Sequence, residues 1–385
     1  MNFEFATATR IVFGEGRLGE AGKIAASFGK RALVVTGRNA GRARRLFKIL
    51  SEAGVSSATF PVGGEPEIST IEEVIALAKR ENCGMVIGFG GGSVLDAAKA
   101  AAAMLTNSGE VRDYLEIIGA GKAPSNPPAP FIAMPTTAGT GSEVTRNSVL
   151  SSPEHKLKVS LRSPLMLAKV ALVDPELTYD LPPALTANTG MDALTQLIEP
   201  FVCSRANAMT DGFCIEGIRR AARSLRAAFA GGGNQPARAD MSVASLFGGL
   251  ALANAGLGAV HGFAGPIGGS FSNAPHGAIC AALLPHVMAA NLRALRRREP
   301  GGEALRRYDE VGRLLTGSAG ATADDGVKWV RELTADLQIR PLGVYGIREE
   351  HAADLAAKAA NASSMKANPV ALSPEELAET LRQAM

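Results

Sequence analysis

MVIGFGGGSVLDAAK, residues 85–99, is the stretch that decides the fold. Its apolar start is short enough for one buried strand, and its alanine-rich end is typical of a helix. Gly90, Gly91 and Gly92 stand between them, and Ser93 is a residue type that favours a helix N-cap. Glycines let a ligand approach the backbone, and the N–H groups at the start of a helix attract phosphate. The stretch predicts a strand–turn–helix unit that binds a nucleotide, although a plain tight turn is the alternative for three glycines alone.

The first half of the chain alternates between strand patterns and helix patterns. Apolar runs at 31–36 and 58–62 precede segments with helical periodicity at 42–53 and 71–82, and the helical pattern after the glycine run spans 93–105. Such alternation predicts a parallel sheet with helices on both faces.

The chain changes character at Pro182-Pro183. Beyond these prolines the strand patterns end, and segments such as 210–228 and 241–257 repeat Ala, Leu and Ile at helical spacing. We therefore predict an α/β dinucleotide-binding domain with a parallel sheet over residues 1–180, followed by an all-α domain over residues 181–385.

The composition is typical of a globular enzyme. Of 385 residues, 46% are hydrophobic and 20% are charged, and the net charge is only +3. Basic clusters occur at 42–45 and 296–298, but they are typical of solvated helix faces, so we expect no nucleic-acid partner. No apolar run reaches about 18 residues and Met1–Arg10 lacks the features of a signal peptide, which predicts a cytoplasmic protein without a membrane partner. The four cysteines have no paired metal-ligand spacing and predict no disulfide framework.

A second motif, PTTAGTGSEVT at Pro135–Thr145, follows another apolar strand pattern at 130–134. Its hydroxyl residues and glycines can supply hydrogen bonds and clearance around a polar ligand, although such a composition alone indicates only a loop. As an exact string beside the glycine run, it resembles the iron-containing (group III) alcohol dehydrogenase family. Further strings that match the family in order are Gly64-Glu65-Pro66, Leu172-Val173-Asp174-Pro175, Leu181-Pro182-Pro183, Gly190-Met191-Asp192-Ala193-Leu194-Thr195 and Pro275-His276-Gly277.

The resemblance implies the dehydroquinate-synthase-like architecture, with the nucleotide on the first domain, the metal and substrate on the helical domain, and the reaction in the cleft between them. It also implies a homo-oligomer, a dimer, that acts on a small molecule. Lys158 matches a family lysine near the nicotinamide ribose, although a solvated lysine beside Lys156 is an alternative. The residues expected to bind the cofactor are Gly37, Arg38, Gly90, Gly91, Gly92, Ser93, Asp96, Thr136, Thr137, Thr140, Ser142 and Lys158.

The end of the first strand pattern of the alternating region bears on the choice between NAD and NADP. An acidic residue there would bind the ribose 2′-hydroxyl and repel a 2′-phosphate. In NAD-preferring members of the family an aspartate resembles the position held here by Gly37, and Arg38 offers a bidentate phosphate partner. A surface arginine at a helix start is the alternative. Taken with the resemblance, these residues predict that NADP is preferred over NAD.

The metal site departs from the family pattern at one position. Family members supply an aspartate and three histidines, the first two ligands four residues apart on one helix face. Asp192 matches the aspartate, Gln196 stands where the first histidine is expected, and His261 and His276 match the other two. The amide oxygen of Gln196 can bind a hard cation, but more weakly than imidazole binds iron or zinc, and the alternative is that Gln196 leaves the site without a metal. We predict a site for a divalent metal, Fe or Zn, at these four residues, while a helix-cap aspartate and interior histidines are the alternatives.

Two further histidine positions bear on proton transfer. Many family members carry a second histidine four residues after the one matched by His261, and that position is Gly265 here. A proton relay would then need another route, such as water or the cofactor ribose. His286 also matches a family string, but it lies in an apolar helical pattern and is interpreted as structural.

The resemblance implies reversible hydride transfer between the carbon of a small alcohol or aldehyde and the nicotinamide. Asp192, His261 and His276 are the expected catalytic residues, through a metal that polarises the carbonyl or stabilises the alkoxide. One alternative is a metal-independent reductase of an oxoacid, as in the maleylacetate reductases. Another is a dehydroquinate-synthase-like lyase, whose phosphorylated substrates would call for clustered Lys and Arg in the cleft, whereas this chain has the dehydrogenase string around Asp192 and small, apolar residues around His261.

Overall fold

The computed structural model describes residues 2–385, which form two compact units. The α/β unit comprises residues 6–137 and 141–179. The helical unit comprises residues 2–5, 138–140 and 180–385. Each unit has its own hydrophobic core.

The α/β unit is built on a six-stranded sheet in which every neighbouring pair is parallel, in the order β1-β8-β5-β4-β2-β3. Two further strands, β6 and β7, pair with each other in an antiparallel hairpin. The strands are β1 (Arg10–Phe13), β2 (Arg31–Gly37), β3 (Ser56–Val62), β4 (Met85–Gly90), β5 (Phe131–Pro135), β6 (Asn147–Ser152), β7 (Leu157–Arg162) and β8 (Val170–Val173).

Four helices connect the first strands: α1 (Ala21–Ala26), α2 (Arg44–Glu52), α3 (Ile68–Arg80) and α4 (Gly92–Thr106). All six residues of β4 are buried, as expected for a central strand of a parallel sheet that is covered on both faces. A Cβ on Gly88 would lie only 3.0 Å from the side chains of Leu95 and Ala98, so α4 packs directly on β4. The glycine in the strand and the alanines in the helix therefore permit this close contact.

The helical unit consists of nine α-helices and short 3₁₀ turns, and it has no strand among the residues that the structure describes. The helices are α5 (Pro183–Val202), α6 (Ala208–Ala230), α7 (Gln235–Asn254), α8 (Ala259–Ser270), α9 (His276–Arg298), α10 (Glu303–Thr316), α11 (Ala323–Asp336), α12 (Ala352–Ala360) and α13 (Pro374–Gln383). By length and hydropathy α9 could cross a bilayer, but 83% of its most apolar window is buried inside the protein, as in a core helix.

The predicted fold class is confirmed: an α/β unit with a parallel sheet precedes a helical unit. The element ends differ from the predicted ones. The prediction that Ser93 caps α4 is wrong, because α4 begins at Gly92 and its N-cap is Gly91, which has an extended backbone and no side chain to cap with. Helix α7 ends at Asn254 and not at residue 257, and a non-helical turn precedes α8.

Candidate active site

The carboxyl ends of parallel strands bring the sequence motifs of the α/β unit to one edge of its sheet. Gly90, the last residue of β4, pairs with Pro135, the last residue of β5, and the Thr136 N–H donates to the Gly90 carbonyl at 2.9 Å. In an open α/β sheet this edge is where ligands bind. The glycine run and the PTT string are therefore neighbours, as a shared phosphate site requires.

The turn between β4 and α4 leaves no room for larger residues. A Cβ on Gly90 would lie 2.5 Å from Val94, and one on Gly91 would lie 3.2 Å from Thr137 Oγ1. Gly92 and Ser93 form the first turn of α4, where backbone N–H groups lack helical partners. Thr140 belongs to the short segment 138–140 that packs with the helical unit.

Arg38 and Gly37 lie at the end of β2, on the same edge of the sheet. Gly37 pairs with Val62 at the end of β3, and a Cβ on Gly37 would meet no atom within 4 Å. The Arg38 guanidinium donates to the Gly63 carbonyl at 2.9 Å and is exposed. The Gly63 carbonyl thus fixes the position of the guanidinium, whose remaining N–H groups face solvent.

Lys158 contacts a residue of a string that lies far away in the sequence. This lysine lies on β7, its side chain is only 7% exposed, and its Nζ is 3.0 Å from Glu65 Oε1. Glu65 is the middle residue of the Gly64-Glu65-Pro66 string. Lys158 is therefore a paired, buried cation and not the solvated lysine of the alternative interpretation.

A buried network holds the loop after the PTT string. Lys99, 1% exposed, donates from Nζ to the Ser142 carbonyl and hydroxyl, to Thr145 Oγ1 and to the Asn147 carbonyl at 2.7–3.2 Å. Asp96 accepts from the Ser142 hydroxyl at 2.7 Å and from the Val149 N–H at 3.1 Å. Asp96 and Ser142, both expected to bind the cofactor, thus also anchor this loop to α4.

Burial changes the pKa values of this network. Burial lowers the pKa of Lys99 to about 8, although Asp96 and Glu143 oppose the change. Burial likewise raises the pKa of Glu143 to about 7 against the effects of its own backbone N–H and of Lys99. Sequence reasoning missed Lys99 and Glu143 because each looks like an ordinary surface residue until its burial is known.

Three helices of the helical unit bring five polar side chains together. Asp192 and Gln196 lie one turn apart on α5, His261 lies in the first turn of α8, and His276 and Cys280 lie one turn apart on α9. One donor atom from each of Asp192, His261, His276 and Cys280 lies within 4.8 Å of all the others, an arrangement that could hold a metal ion. The Gln196 amide lies at the edge of this group and helps to keep the pKa of Asp192 low.

The contacts within the group are long, at or beyond the upper limit of hydrogen-bond distance. Asp192 Oδ1 lies 3.4 Å from His261 Nε2 and 3.7 Å from His276 Nε2. Cys280 Sγ lies 3.9 Å from His261 Nε2 and 3.7 Å from His276 Nε2. Asp192 Oδ1 and Gln196 Oε1 are buried and make no hydrogen bond. Since native proteins rarely leave buried polar atoms unpaired, these two atoms indicate a site for a ligand.

Glu199 fixes the orientation of His261, and sequence reasoning missed it. Its Oε2 lies 2.7 Å from His261 Nδ1, and its Oε1 accepts from the Val260 N–H at 2.7 Å. A carboxylate on Nδ1 leaves Nε2 free to face a metal, as outer-sphere partners of metal-bound histidines do. The signal was spacing, because residues 192, 196 and 199 share one face of a helix.

The charges around the two histidines favour a cation. Burial alone would lower the pKa of His261, but Cys280, Asp192 and Glu199 raise it well above its usual value. The pKa of His276 is raised for similar reasons by Cys280 and Asp192 against burial. Burial would raise the pKa of Asp192, yet His276, His261 and Gln196 keep it below the usual range. The site thus stabilises positive charge at the point where the donors converge.

The remaining histidine positions lie outside this group. Gly265 lies on α8 one turn after His261, and a Cβ there would meet no atom within 4 Å. His286 lies on α9, interacts with Gln383 and has a pKa lowered by burial and by nearby arginines. His155 accompanies Ser152 in the β6–β7 hairpin, and His351 caps a turn through the Arg348 N–H.

The chain matches two family models that together span nearly its whole length. Residues 8–175 match the iron-containing alcohol dehydrogenase model, and residues 186–385 match the C-terminal domain of the Fe-containing alcohol dehydrogenase family. The chain is 36% identical to alcohol dehydrogenase 4 of Saccharomyces cerevisiae (strain YJM789), over 97% of this chain and 96% of that protein. It is 37% identical to 1,3-propanediol dehydrogenase of Klebsiella pneumoniae, over 92% of each chain.

Solved structures agree with the sequence matches. A crystal structure of a 1,3-propanediol oxidoreductase superimposes with a TM-score of 0.92 at 33% identity, covering 100% of both chains. The sulfoacetaldehyde reductase of Bifidobacterium kashiwanohense, solved with NAD⁺, has a TM-score of 0.87 at 29% identity and covers 100% of this chain and 99% of its own. The chain therefore belongs to the iron-containing alcohol dehydrogenase family.

Proposed function

We propose that this member of the family is a nicotinamide-dependent alcohol dehydrogenase and aldehyde reductase for a small alcohol or aldehyde. Its named relatives are oxidoreductases that act on CH–OH groups, and it is one as well. The observation that carries the proposal is the convergence of Asp192, His261 and His276 on one point, with buried Asp192 Oδ1 left without a hydrogen bond. Such a group is suited to a cation that faces the oxygen of a substrate.

The donor set fits a divalent transition metal. The group offers one carboxylate and two imidazoles, and imidazole and carboxylate donors suit Fe²⁺ and Zn²⁺. We propose that Asp192, His261 and His276 hold the ion, with Gln196 beside Asp192. When bound, the ion supplies Lewis-acid polarisation of a carbonyl oxygen or stabilisation of an alkoxide.

The protein's own residues bind and orient both reactants. We propose that the turn Gly90–Gly92, Ser93 and the PTT string hold the pyrophosphate of the dinucleotide, because their backbone can approach it closely at a helix N-terminus. Lys158, held by Glu65, would orient the nicotinamide ribose. The His276 side chain is 32% exposed, whereas that of His261 is 7% exposed, so His276 marks the side from which a substrate can approach. Holding the cofactor and the substrate in the reactive orientation contributes much of the rate enhancement of a hydride transfer.

Cofactor choice is proposed to favour NADP. The support is Arg38, which the Gly63 carbonyl holds at the end of β2, and Gly37, which presents no carboxylate to a 2′-phosphate. Gly37→Asp should therefore shift the ratio of kcat/KM values toward NAD, and Arg38→Ala should weaken NADP about tenfold more than NAD, the effect of about 1.4 kcal/mol from a charged hydrogen bond. Equal kcat/KM values for the two cofactors in all three proteins would overturn this choice.

The proposed activity is tested by incubating purified protein with a panel of alcohols and aldehydes and measuring the change in the amount of reduced nicotinamide cofactor. The panel should include 1,3-propanediol and methanol, since relatives are named for these substrates. We expect net oxidation of an alcohol and net reduction of the matching aldehyde. Protein that binds the dinucleotide but gives no net redox change with any member of the panel would contradict the proposal.

Metal dependence separates the two reductase mechanisms. Chelated protein should lose activity and regain it with Fe²⁺, Zn²⁺ or Mn²⁺, while full activity in protein shown by elemental analysis to be metal-free would select the metal-independent mechanism. A cytoplasmic location and a dimer remain part of this proposal, and they are checked by fractionation and by light scattering.

A further inference from the structure

We infer that Cys280 is a metal ligand in this protein, a thiolate that takes the place left by the missing histidine at Gln196. The inference rests on the metal site of the proposed function and names a ligand that the sequence did not suggest. Cys280 is completely buried, it lies one turn after His276 on α9, and its Sγ faces the same point as the three expected donors.

The spacing of the donor atoms fits tetrahedral coordination. With metal–nitrogen bonds of about 2.1 Å and a metal–sulfur bond of about 2.3 Å, neighbouring ligand atoms of a tetrahedron lie about 3.3–3.6 Å apart. Asp192 Oδ1 and His261 Nε2 are 3.4 Å apart, and Cys280 Sγ is 3.7 Å from His276 Nε2 and 3.9 Å from His261 Nε2. Four of the six pairs of donor atoms are thus within a few tenths of an ångström of tetrahedral spacing, and the other two pairs lie within 4.8 Å, so a closer approach of those two pairs places all four atoms around one ion.

Gln196 has a different task in this arrangement. It lies one turn after Asp192 on α5, and its Oε1 is buried without a hydrogen bond. An amide oxygen is a poor ligand for zinc compared with a thiolate or an imidazole. Gln196 thus acts as a positioning residue for the carboxylate, and Cys280 supplies the strong fourth donor.

The chemistry of the donor set points to zinc. Thiolate ligands favour Zn²⁺ over harder ions such as Mn²⁺ and Mg²⁺. Metal binding requires Cys280 as a thiolate and both imidazoles in their neutral form, so any protons on these three side chains are released to solvent, and the negative charges of Cys280 and Asp192 together balance the charge of the ion. We therefore expect a site of one carboxylate, two imidazoles and one thiolate, which can expand to five ligands when a substrate oxygen binds.

The experiment compares wild-type protein, Cys280→Ser and the control Cys203→Ser, each loaded with Co²⁺ or Zn²⁺. Cys203 is buried at the end of α5 among Ala255 and Ala367 and is not one of the four converging donors, so its substitution tests the effect of losing a buried thiol. We expect a thiolate-to-cobalt charge-transfer absorption in wild type and in Cys203→Ser, and its loss in Cys280→Ser. Zinc affinity, measured by competition with a chelator, should fall by more than about 100-fold in Cys280→Ser, beyond the loss typical of an outer-sphere partner.

X-ray absorption of the zinc-loaded wild type gives a readout that needs no variant to fold. One sulfur neighbour at about 2.3 Å is expected. A zinc environment of nitrogen and oxygen only, or a cobalt spectrum and zinc affinity that Cys280→Ser leaves unchanged, would overturn the inference while the dehydrogenase activity stands. Absence of alcohol oxidation by the wild-type protein would instead reject the proposed function. The two outcomes are distinguishable because the cobalt spectrum, the zinc affinity and the X-ray absorption do not depend on turnover.

Discussion

The two buried ionisable clusters of this molecule differ in one respect, the completeness of their hydrogen bonds. In the α/β unit Lys99 is surrounded by four acceptors and Asp96 accepts from two donors. In the helical unit Asp192 Oδ1 and Gln196 Oε1 are just as buried and make no hydrogen bond. Both clusters therefore bury charged groups, but only the cluster in the α/β unit provides all of those groups with hydrogen-bond partners.

This difference separates a structural cluster from a ligand site. A network in which every polar group has a partner rigidifies the loop that it holds, and here that loop is the one after the PTT string. A converging group with unpaired atoms stays incomplete until something binds, so its cost is tolerated for function. Substitutions in the first cluster should therefore lower mainly stability, and substitutions in the second should lower mainly activity.

Lys99→Met should have the largest effect, and the effect should be on stability. The substitution leaves the carbonyl and hydroxyl acceptors and the carboxylate of Asp96 without their buried cation, which costs about 3–5 kcal/mol. Chemical denaturation measures this loss. The matched control is Lys48→Met on α2, because that side chain is 77% exposed and its removal should change stability by less than about 0.5 kcal/mol. Equal stabilities of the two variants would contradict a structural role for Lys99.

His261→Ala should produce the opposite pattern, with activity lost and stability nearly kept. We expect kcat/KM to fall at least about 100-fold, equivalent to about 2.7 kcal/mol of transition-state stabilisation, because the metal loses a ligand. Added metal should no longer restore chelated protein. His286→Ala, a histidine of the same unit that lies outside the donor group, should respond to metal as wild type does. A metal response that survives in His261→Ala would refute the site.

Glu199→Gln should weaken metal binding without unfolding the helical unit. The amide cannot accept from both His261 Nδ1 and the Val260 N–H as the carboxylate does, so the orientation of the imidazole is less well held. Metal affinity should fall about 10–100-fold, as for other outer-sphere partners. Glu216→Gln on α6, which removes the charge of a partly exposed ion pair with Arg220, is the control. An unchanged metal affinity in Glu199→Gln would show that His261 needs no such support.

Glu143→Gln should have the smallest effect, a change in how stability depends on pH. Burial raises the pKa of Glu143 from 4.5 to about 7, so the folded protein keeps a proton there that the unfolded chain has lost. Folding takes up this proton between pH 4.5 and pH 7, and its contribution to stability is therefore present at low pH and lost as pH rises. The variant should take up about one proton fewer on folding across this range. Denaturation midpoints that change with pH identically in both proteins would contradict the raised pKa.

Local patterns were sufficient to predict much of the fold. The run from Met85 to Lys99 predicted β4, the turn and α4, because a short apolar run, glycines and a helical period act over neighbouring residues. The capping residue was predicted wrongly. Gly91 caps α4 in place of Ser93, and a Cβ at Gly91 would lie only 3.2 Å from Thr137 Oγ1, so close packing against Thr137 favours a residue without a side chain at this position.

Parts of the site were not recognised from the matched strings. The sequence predicted Asp192, His261 and His276 through matched strings, but Cys280 and Glu199 carry no string of their own. In the sequence, Cys280 was compared only with the other three cysteines, with which it has no metal-ligand spacing. Its position one turn after His276 becomes informative only when the structure brings α9 next to α5 and α8. Lys158 illustrates the same limit, because its partner Glu65 lies more than 90 positions away.

The sequence by itself determined the two kinds of fold and the family, and it predicted the nucleotide motifs and three metal donors, because these depend on short-range periodicity and on exact strings. The tertiary structure decided which buried charges are satisfied, which cation pairs with which carboxylate, and that the Cys280 thiol lies beside the other three donors. These are properties of distance between segments far apart in the chain. They arise from the packing of helices and strands, and hydrophobic burial brings such side chains together without leaving a local signature in the sequence.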